Sequence, residues 1–379
     1  MSFQTLANKF VCDVPVYEPG RPIEEVAREL GLNPKAIIKL ASNENPLGAS
    51  PKAVVAMQRA LKTAHLYPDG GGFYLRQAIA KKLNGVARST SLRAISSGVV
   101  EIDNIILGTG SNEIIEFLYH TFVAPGDEVV AGDRAFVIYM IMAKMFQARC
   151  IEVPFKGHTH DLKAMLAAIT PKTKLVFVAN PNNPTGTRVS NGELDWFIRR
   201  LPKHVIAVLD EAYIEFLDDP PPSIEYAMKR NVVLLRTFSK IVGLAGLRIG
   251  YGIAQKECIG LMQRMRQPFN TNAVGQAGAL AALSDTAHIR KTKALTQSGL
   301  KYFYREFERL NLEYVPSCAN FVLVNVGDGD EVFRALQRRG VIVRPMHGYK
   351  MPAWVRVTVG LPEENRRFIK ALRAELNRE

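Results

Sequence analysis

Val232-Val233-Leu234-Leu235-Arg236-Thr237-Phe238-Ser239-Lys240 opens on four apolar residues and closes on a lysine, with Arg248 eight residues further along. A second run, Val205-Ile206-Ala207-Val208-Leu209, leads into Asp210-Glu211-Ala212-Tyr213. Both runs are short, rich in Val, Leu and Ile, and apolar at every position. Strands buried on both faces of a parallel sheet read this way. A lysine and an acid thus stand just beyond the C-terminal ends of two buried strands, which is where open parallel sheets bind their ligands.

Working outward, residues 105–107, 128–131 and 174–179 form similar apolar runs. Helix-like periodicity fills the intervals at 113–122, 162–169 and 193–201. This alternation predicts a doubly wound α/β domain over about residues 50–275. The C-terminal part, 276–379, reads differently. Strand-like stretches at 321–326 and 355–359 mix with helical patterns at 330–339 and 363–376, which predicts a small α+β domain. Residues 1–49, broken by Pro15, Pro19, Pro22 and Pro34, read as an arm with a short helix at 23–30 that contributes part of the small domain. Residues 85–100 read as a surface insertion.

Composition narrows the function classes. The 379 residues are 47% hydrophobic, an ordinary value for a globular chain. No apolar run is long enough for a membrane span, and the N-terminus lacks the pattern of a secretory signal. Cys12, Cys150, Cys258 and Cys318 are scattered without metal-ligand spacing, so a cytoplasmic protein without structural zinc is expected. The formal charge of +13 comes from basic residues interleaved with acids, with no nucleic-acid module. A solvated basic surface is the simpler reading.

The segments that follow the strands carry the chemistry. After 105–107 comes Gly108-Thr109-Gly110-Ser111-Asn112-Glu113, a turn opening a helix. Free N–H groups and the helix dipole favour an anion there, although tight packing gives the same pattern. After 174–179 comes Asn180-Pro181-Asn182-Asn183-Pro184-Thr185-Gly186, a Pro-stiffened turn in which Asn183 would be a rigid amide donor. Asp210 at a strand end needs a partner, since an unpaired buried charge is costly. The alternatives for it are a helix cap or a structural ion pair. Thr237, Ser239 and Arg248 suit a phosphate, and Lys240 among cationic groups is an activated amine. Together these pieces match one cofactor, pyridoxal phosphate. Lys240 would hold its aldehyde, Asp210 its ring nitrogen, and Asn183 and Tyr213 its phenolic oxygen.

The chain also resembles the fold-type I pyridoxal-phosphate aminotransferases and, within them, the histidinol-phosphate aminotransferases. The resemblance rests on Lys39-Leu40-Ala41-Ser42-Asn43-Glu44-Asn45-Pro46-Leu47-Gly48, on Tyr67-Pro68-Asp69-Gly70 and on the turn at 108–113. It continues through Asn183-Pro184-Thr185-Gly186, Asp210-Glu211-Ala212-Tyr213, Ser239-Lys240, residues 244–252 and Trp354-Val355-Arg356-Val357-Thr358-Val359-Gly360. It covers the chain from about Tyr17 to the C-terminus.

The resemblance implies a mostly parallel seven-stranded sheet and a set of roles. Lys240, Asp210 and Tyr213 are the catalytic group. Gly110, Ser111, Asn112, Phe136, Asn183, Thr237, Ser239 and Arg248 bind the cofactor, with Phe136 stacking on its ring. Tyr67 reaches the cofactor phosphate of a neighbouring subunit, implying a homodimer. Arg356 and Arg344 grip the substrate's phosphate or carboxylate, and Tyr17 lines the substrate pocket. Phe136 departs from the tyrosine of many members, and the 85–100 segment is longer than usual. The implied reaction converts L-histidinol phosphate and 2-oxoglutarate to imidazole acetol phosphate and L-glutamate. An aromatic amino-acid aminotransferase, a phosphothreonine decarboxylase and a non-enzymatic cofactor-binding regulator remain alternatives.

Overall fold

The computed structural model describes residues 2–17, 19–89 and 99–376. A short first strand, β1 (Ile38–Lys39), precedes a seven-stranded sheet made of β2 (Ile105–Gly108), β3 (Glu128–Gly132), β4 (Arg149–Val153), β5 (Thr173–Ala179), β6 (Ile206–Asp210), β7 (Val232–Thr237) and β8 (Gly250–Ile253). The strand order is β2-β8-β7-β6-β5-β3-β4. Only β8 runs against the others, pairing antiparallel with both β2 and β7.

The apolar runs are explained by two cores on opposite faces of this sheet. Val176, Val178, Ala207, Leu209 and Leu234 enter one core, while Leu175, Phe177, Val208, Val233 and Leu235 enter the other. Successive side chains point to opposite faces, so a strand covered on both sides must be apolar throughout. β4 and β8 are not among the expected strands. β4 is an edge strand with an exposed Arg149 and a half-buried Cys150, and β8 reads Gly-Tyr-Gly-Ile, so neither carries a continuous apolar run.

A second sheet, in the order β12-β13-β10-β9, is antiparallel and comprises β9 (Tyr314–Val315), β10 (Phe321–Asn325), β12 (Arg344–Pro345) and β13 (Trp354–Thr358). Its core holds Val322, Val324, Val355 and Val357 against Phe303, Phe307 and Phe368 of the flanking helices. β1 pairs in parallel with β11 (Val341–Ile342), which ties the N-terminal segment to this second unit.

The helix Phe73–Ser89 takes in the first five residues of the expected insertion, and residues 90–98 lie outside the described residues. The helix Ala273–Ala282 spans the expected boundary at 275 and packs with the large unit, where Ala279 and Ala282 join its core. Its composition of Ala and Gly gave no boundary signal, and close approach is what it supplies. A Cβ on Gly278 would come within 2.9 Å of Met57.

Candidate active site

The carboxyl ends of β2, β5, β6 and β7 open into a cavity of about 570 Å³ that β12 and β13 close from the other side. Of the expected site residues, Tyr17, Gly110, Ser111, Asn112, Phe136, Asn183, Asp210, Tyr213, Thr237, Ser239, Lys240, Arg248, Arg344 and Arg356 all line it. Tyr67 does not. It is exposed and stacked on Phe269, with ring centroids 4.6 Å apart.

One part of the cavity is an anion cradle. The helix Gly110–Phe122 starts without a side-chain cap, because the Thr109 hydroxyl donates instead to the Asn270 carbonyl at 2.8 Å. The first amides of this helix are left facing the cavity, where an anion is favoured. Gly110 has φ +75°, and a Cβ there would lie 2.7 Å from an Arg248 guanidinium nitrogen. Glycine at this position is therefore what lets Arg248 lie against the helix start. The Thr237 and Ser239 hydroxyls sit 2.9 Å apart beside it, and the Ser239 N–H donates to Thr237 Oγ1 at 3.1 Å.

Asp210 is the last residue of β6 rather than the first beyond it, and it is buried. Its Oδ2 accepts from the Tyr139 hydroxyl at 2.8 Å and its Oδ1 from the Ala212 N–H at 3.1 Å. Burial pushes its pKa up, while these two donors and the Lys240 charge pull it back. Lys240 Nζ donates to the Ser42 carbonyl at 3.2 Å. Burial, and then the neighbouring Arg356, lower its pKa to about 8 against the pull of Glu44. An amine so placed is neutral far more readily than an exposed lysine.

Arg356 lies on β13 between Val355 and Val357, which point into the core of the second unit, so its own side chain faces the cavity. Its Nη2 donates to the Ala41 carbonyl at 2.7 Å and its Nη1 to Asn183 Oδ1. Its Nε is buried and has no protein acceptor among the described residues. Arg344 is its register partner on β12, which brings the two guanidinium-bearing residues side by side. Tyr17 stands at the mouth, about half exposed.

Several lining residues have no role in the sequence reading. Asn43, buried at φ +55°, donates from Nδ2 to the Tyr213 hydroxyl at 2.9 Å. Glu44 and Tyr349 also line the cavity. Asn43 and Glu44 sit in the stretch at 39–48, but nothing in that stretch says what they touch. Tyr139 follows Phe136 by three residues, yet its partner Asp210 is 71 residues away, a distance that no local pattern encodes. Among the described residues, no group of three or more His, Cys, Asp or Glu could hold a metal ion, and no helix is long and apolar enough to cross a membrane.

The groups fit pyridoxal phosphate. One cavity holds an anion cradle, a buried carboxylate with lone pairs to spare, and an amine shifted toward its neutral form. An unsatisfied Arg356 nitrogen remains for a second anion, with Arg344 beside it on the neighbouring strand.

Comparison with known proteins agrees. The family described as aminotransferase class I and II matches residues 35–372. A histidinol-phosphate aminotransferase of Akkermansia muciniphila is 48% identical over 378 residues, covering 99% of this chain and 100% of that one. Another, from Moorella thermoacetica, is 47% identical and covers 96% of this chain and 91% of its own length. Among solved structures, histidinol-phosphate aminotransferase from Sinorhizobium meliloti in complex with pyridoxal-5'-phosphate matches with a TM-score of 0.84 at 26% identity, covering 97% of each chain. A cavity built for an anion, a lysine and a buried acid, on this sheet and in this company, places the chain in the class I and II aminotransferase family, among the histidinol-phosphate aminotransferases.

Proposed function

We propose that this protein transfers the amino group of L-histidinol phosphate to 2-oxoglutarate, giving imidazole acetol phosphate and L-glutamate, as a pyridoxal-phosphate enzyme of histidine biosynthesis. The observation that carries the reading is the pairing of Arg356 with Arg344 in the same cavity as Lys240 and Asp210. Two guanidinium groups there suit a substrate phosphate in one half-reaction and a carboxylate in the other.

When bound, pyridoxal phosphate supplies an electron sink for the carbanion left as a proton leaves the substrate Cα. The amides of Gly110, Ser111 and Asn112, the hydroxyls of Thr237 and Ser239, and Arg248 would hold its phosphate. Asp210 would hold the ring nitrogen in its protonated form, an electrostatic contribution in place before the reaction begins. Asn183 and Tyr213 would orient the phenolic oxygen, and Phe136 would pack on the ring. Lys240 would anchor the cofactor. Its Nζ would also take the substrate Cα proton as a general base and return it as a general acid. A pKa near 8 suits both directions. Tyr17 borders the substrate at the mouth of the cavity.

The working unit in this reading is a homodimer, with Tyr67 reaching the neighbour's phosphate cradle. The exposure of Tyr67, outside its own chain's cavity, supports this. The two units divide the labour, the first holding the cofactor and the second the substrate's anion. Four unpaired cysteines support a reducing, cytoplasmic setting.

The test is a half-reaction screen, in which the cofactor-loaded protein is mixed with single amines and the loss of its visible absorbance is followed. Histidinol phosphate is expected to react fastest. Faster reaction with phenylalanine or tyrosine would reassign the substrate to the aromatic amino acids.

A further inference from the structure

Tyr139 connects two parts of the site that the mechanism above treats separately. Its side chain is 1% exposed, and its hydroxyl donates to Asp210 Oδ2 at 2.8 Å. The same ring meets Phe136 edge-on, with centroids 5.8 Å apart and planes at 89°. On its far side it lies against Phe177, at 4.4 Å and 13°. The backbone is fixed as well, since the Tyr119 hydroxyl donates to the Tyr139 carbonyl at 2.7 Å. One immobile side chain therefore touches both the acid and the aromatic assigned to the cofactor ring.

We infer that Tyr139 is a positioning residue, which aims the Asp210 carboxylate at the cofactor's ring nitrogen and braces Phe136 against the ring. The inference rests on the roles given above to Asp210 and Phe136. A carboxylate accepts about four hydrogen bonds. Tyr139 and the Ala212 N–H occupy one site on each oxygen, which fixes the carboxylate plane and leaves acceptor capacity for the ring.

A charged carboxylate in so dry a place also needs donors to stay charged. Tyr139 and Ala212 are the donors, Lys240 helps through its charge, and Glu211 opposes. Tyr213 is the other titratable group coupled to the acid, and Tyr349 is coupled to Tyr139. The Tyr139 hydroxyl is itself pushed well above the ordinary tyrosine range, by burial first and by Asp210 next. It therefore stays protonated and remains a donor.

The experiment is equilibrium titration of the apoprotein with pyridoxal phosphate across acid to neutral pH, for the unaltered chain, Tyr139→Phe and Asp210→Asn. Phenylalanine keeps the ring packing and removes only the donor. The expected result for Tyr139→Phe is a dissociation constant raised roughly tenfold, the scale of one charge-assisted hydrogen bond. Its acid limb should move to higher pH, because the acid would protonate sooner. Packing alone would not move that limb. If Tyr139→Phe matches the unaltered chain while Asp210→Asn loses affinity and pH dependence, the role of Tyr139 is overturned and that of Asp210 stands. If both variants match the unaltered chain, the assignment of Asp210 fails as well.

Discussion

The floor of the cavity takes Asp210, Thr237, Ser239 and Lys240 from the carboxyl ends of the adjacent strands β6 and β7, whereas its roof takes Arg344 and Arg356 from the antiparallel pair β12 and β13. Floor residues hang from a sheet packed on both faces. Asp210, Thr237 and Ser239 bond to neighbours within one unit, and only Lys240 reaches beyond it, to the Ser42 carbonyl. The roof is different, because Arg356 reaches out of its own sheet to the Ala41 carbonyl and to Asn183. Any anion that displaces or reinforces those bonds acts on both units at once. The floor is thus suited to hold a permanent cofactor, and the roof to sense which substrate has arrived.

This contrast can be broken most decisively at Lys240. Lys240→Ala removes both the covalent anchor and the proton carrier, so turnover should fall at least about a thousandfold, the scale of general acid–base catalysis. The visible absorbance of the lysine-bound cofactor should vanish with it. Near-normal turnover in that variant would end the assignment.

At the roof, Arg356→Ala should raise KM for both the amine and the keto acid by about a hundredfold, the scale of losing a buried charged contact. The cofactor should still bind and keep its visible absorbance, because Lys240, Asp210 and the phosphate cradle remain. Steady-state kinetics with both substrates checks this, and an unchanged KM would place the anion elsewhere. Floor and roof would then no longer be separable functions.

Gly110→Ala should act on the floor alone. The added methyl meets Arg248 at 2.7 Å on a backbone with φ +75°, a strain of about 1–3 kcal/mol. Cofactor affinity should drop by roughly tenfold or more while KM moves little. Equilibrium titration with pyridoxal phosphate reads the effect.

The last test concerns pH rather than mutation. The Lys240 amine has a pKa lowered to about 8, by burial first, so it is neutral above that pH and charged below it. The rate at which the apoprotein captures pyridoxal phosphate should therefore rise with pH and level off above about 8. A rate that kept climbing into the ordinary lysine range would show that the amine is not shifted. The same shift makes apoprotein stability rise as pH goes from about 8 toward 10.5, because the folded chain there binds fewer protons than the unfolded one.

Much of the floor was legible in the sequence because strand and motif are contiguous there. β6 runs straight into Asp210, and β7 is followed at once by Ser239 and Lys240. A strand buried on both faces must be apolar throughout, and its end must turn toward the ligand side, so composition and position carry the same message. The roof arginines were reached through resemblance, because a basic residue on a short strand has no local signature. β4 and β8 went unread for lack of an apolar run, and the helix Ala273–Ala282 crossed an expected boundary because small residues mark close packing, not chain order.

By itself, then, the sequence determined the parallel sheet, the lysine and acid at its edge and the glycine turn that opens the anion cradle. All of these follow from alternation and local conformation within a few residues. Only the tertiary structure decided that Tyr139 meets Asp210, that Asn43 meets Tyr213, and that Arg356 bonds Ala41. Those contacts join residues 71, 170 and 315 positions apart. Their partners are chosen by how segments far apart in the chain pack together, and no short-range pattern in a chain encodes that choice.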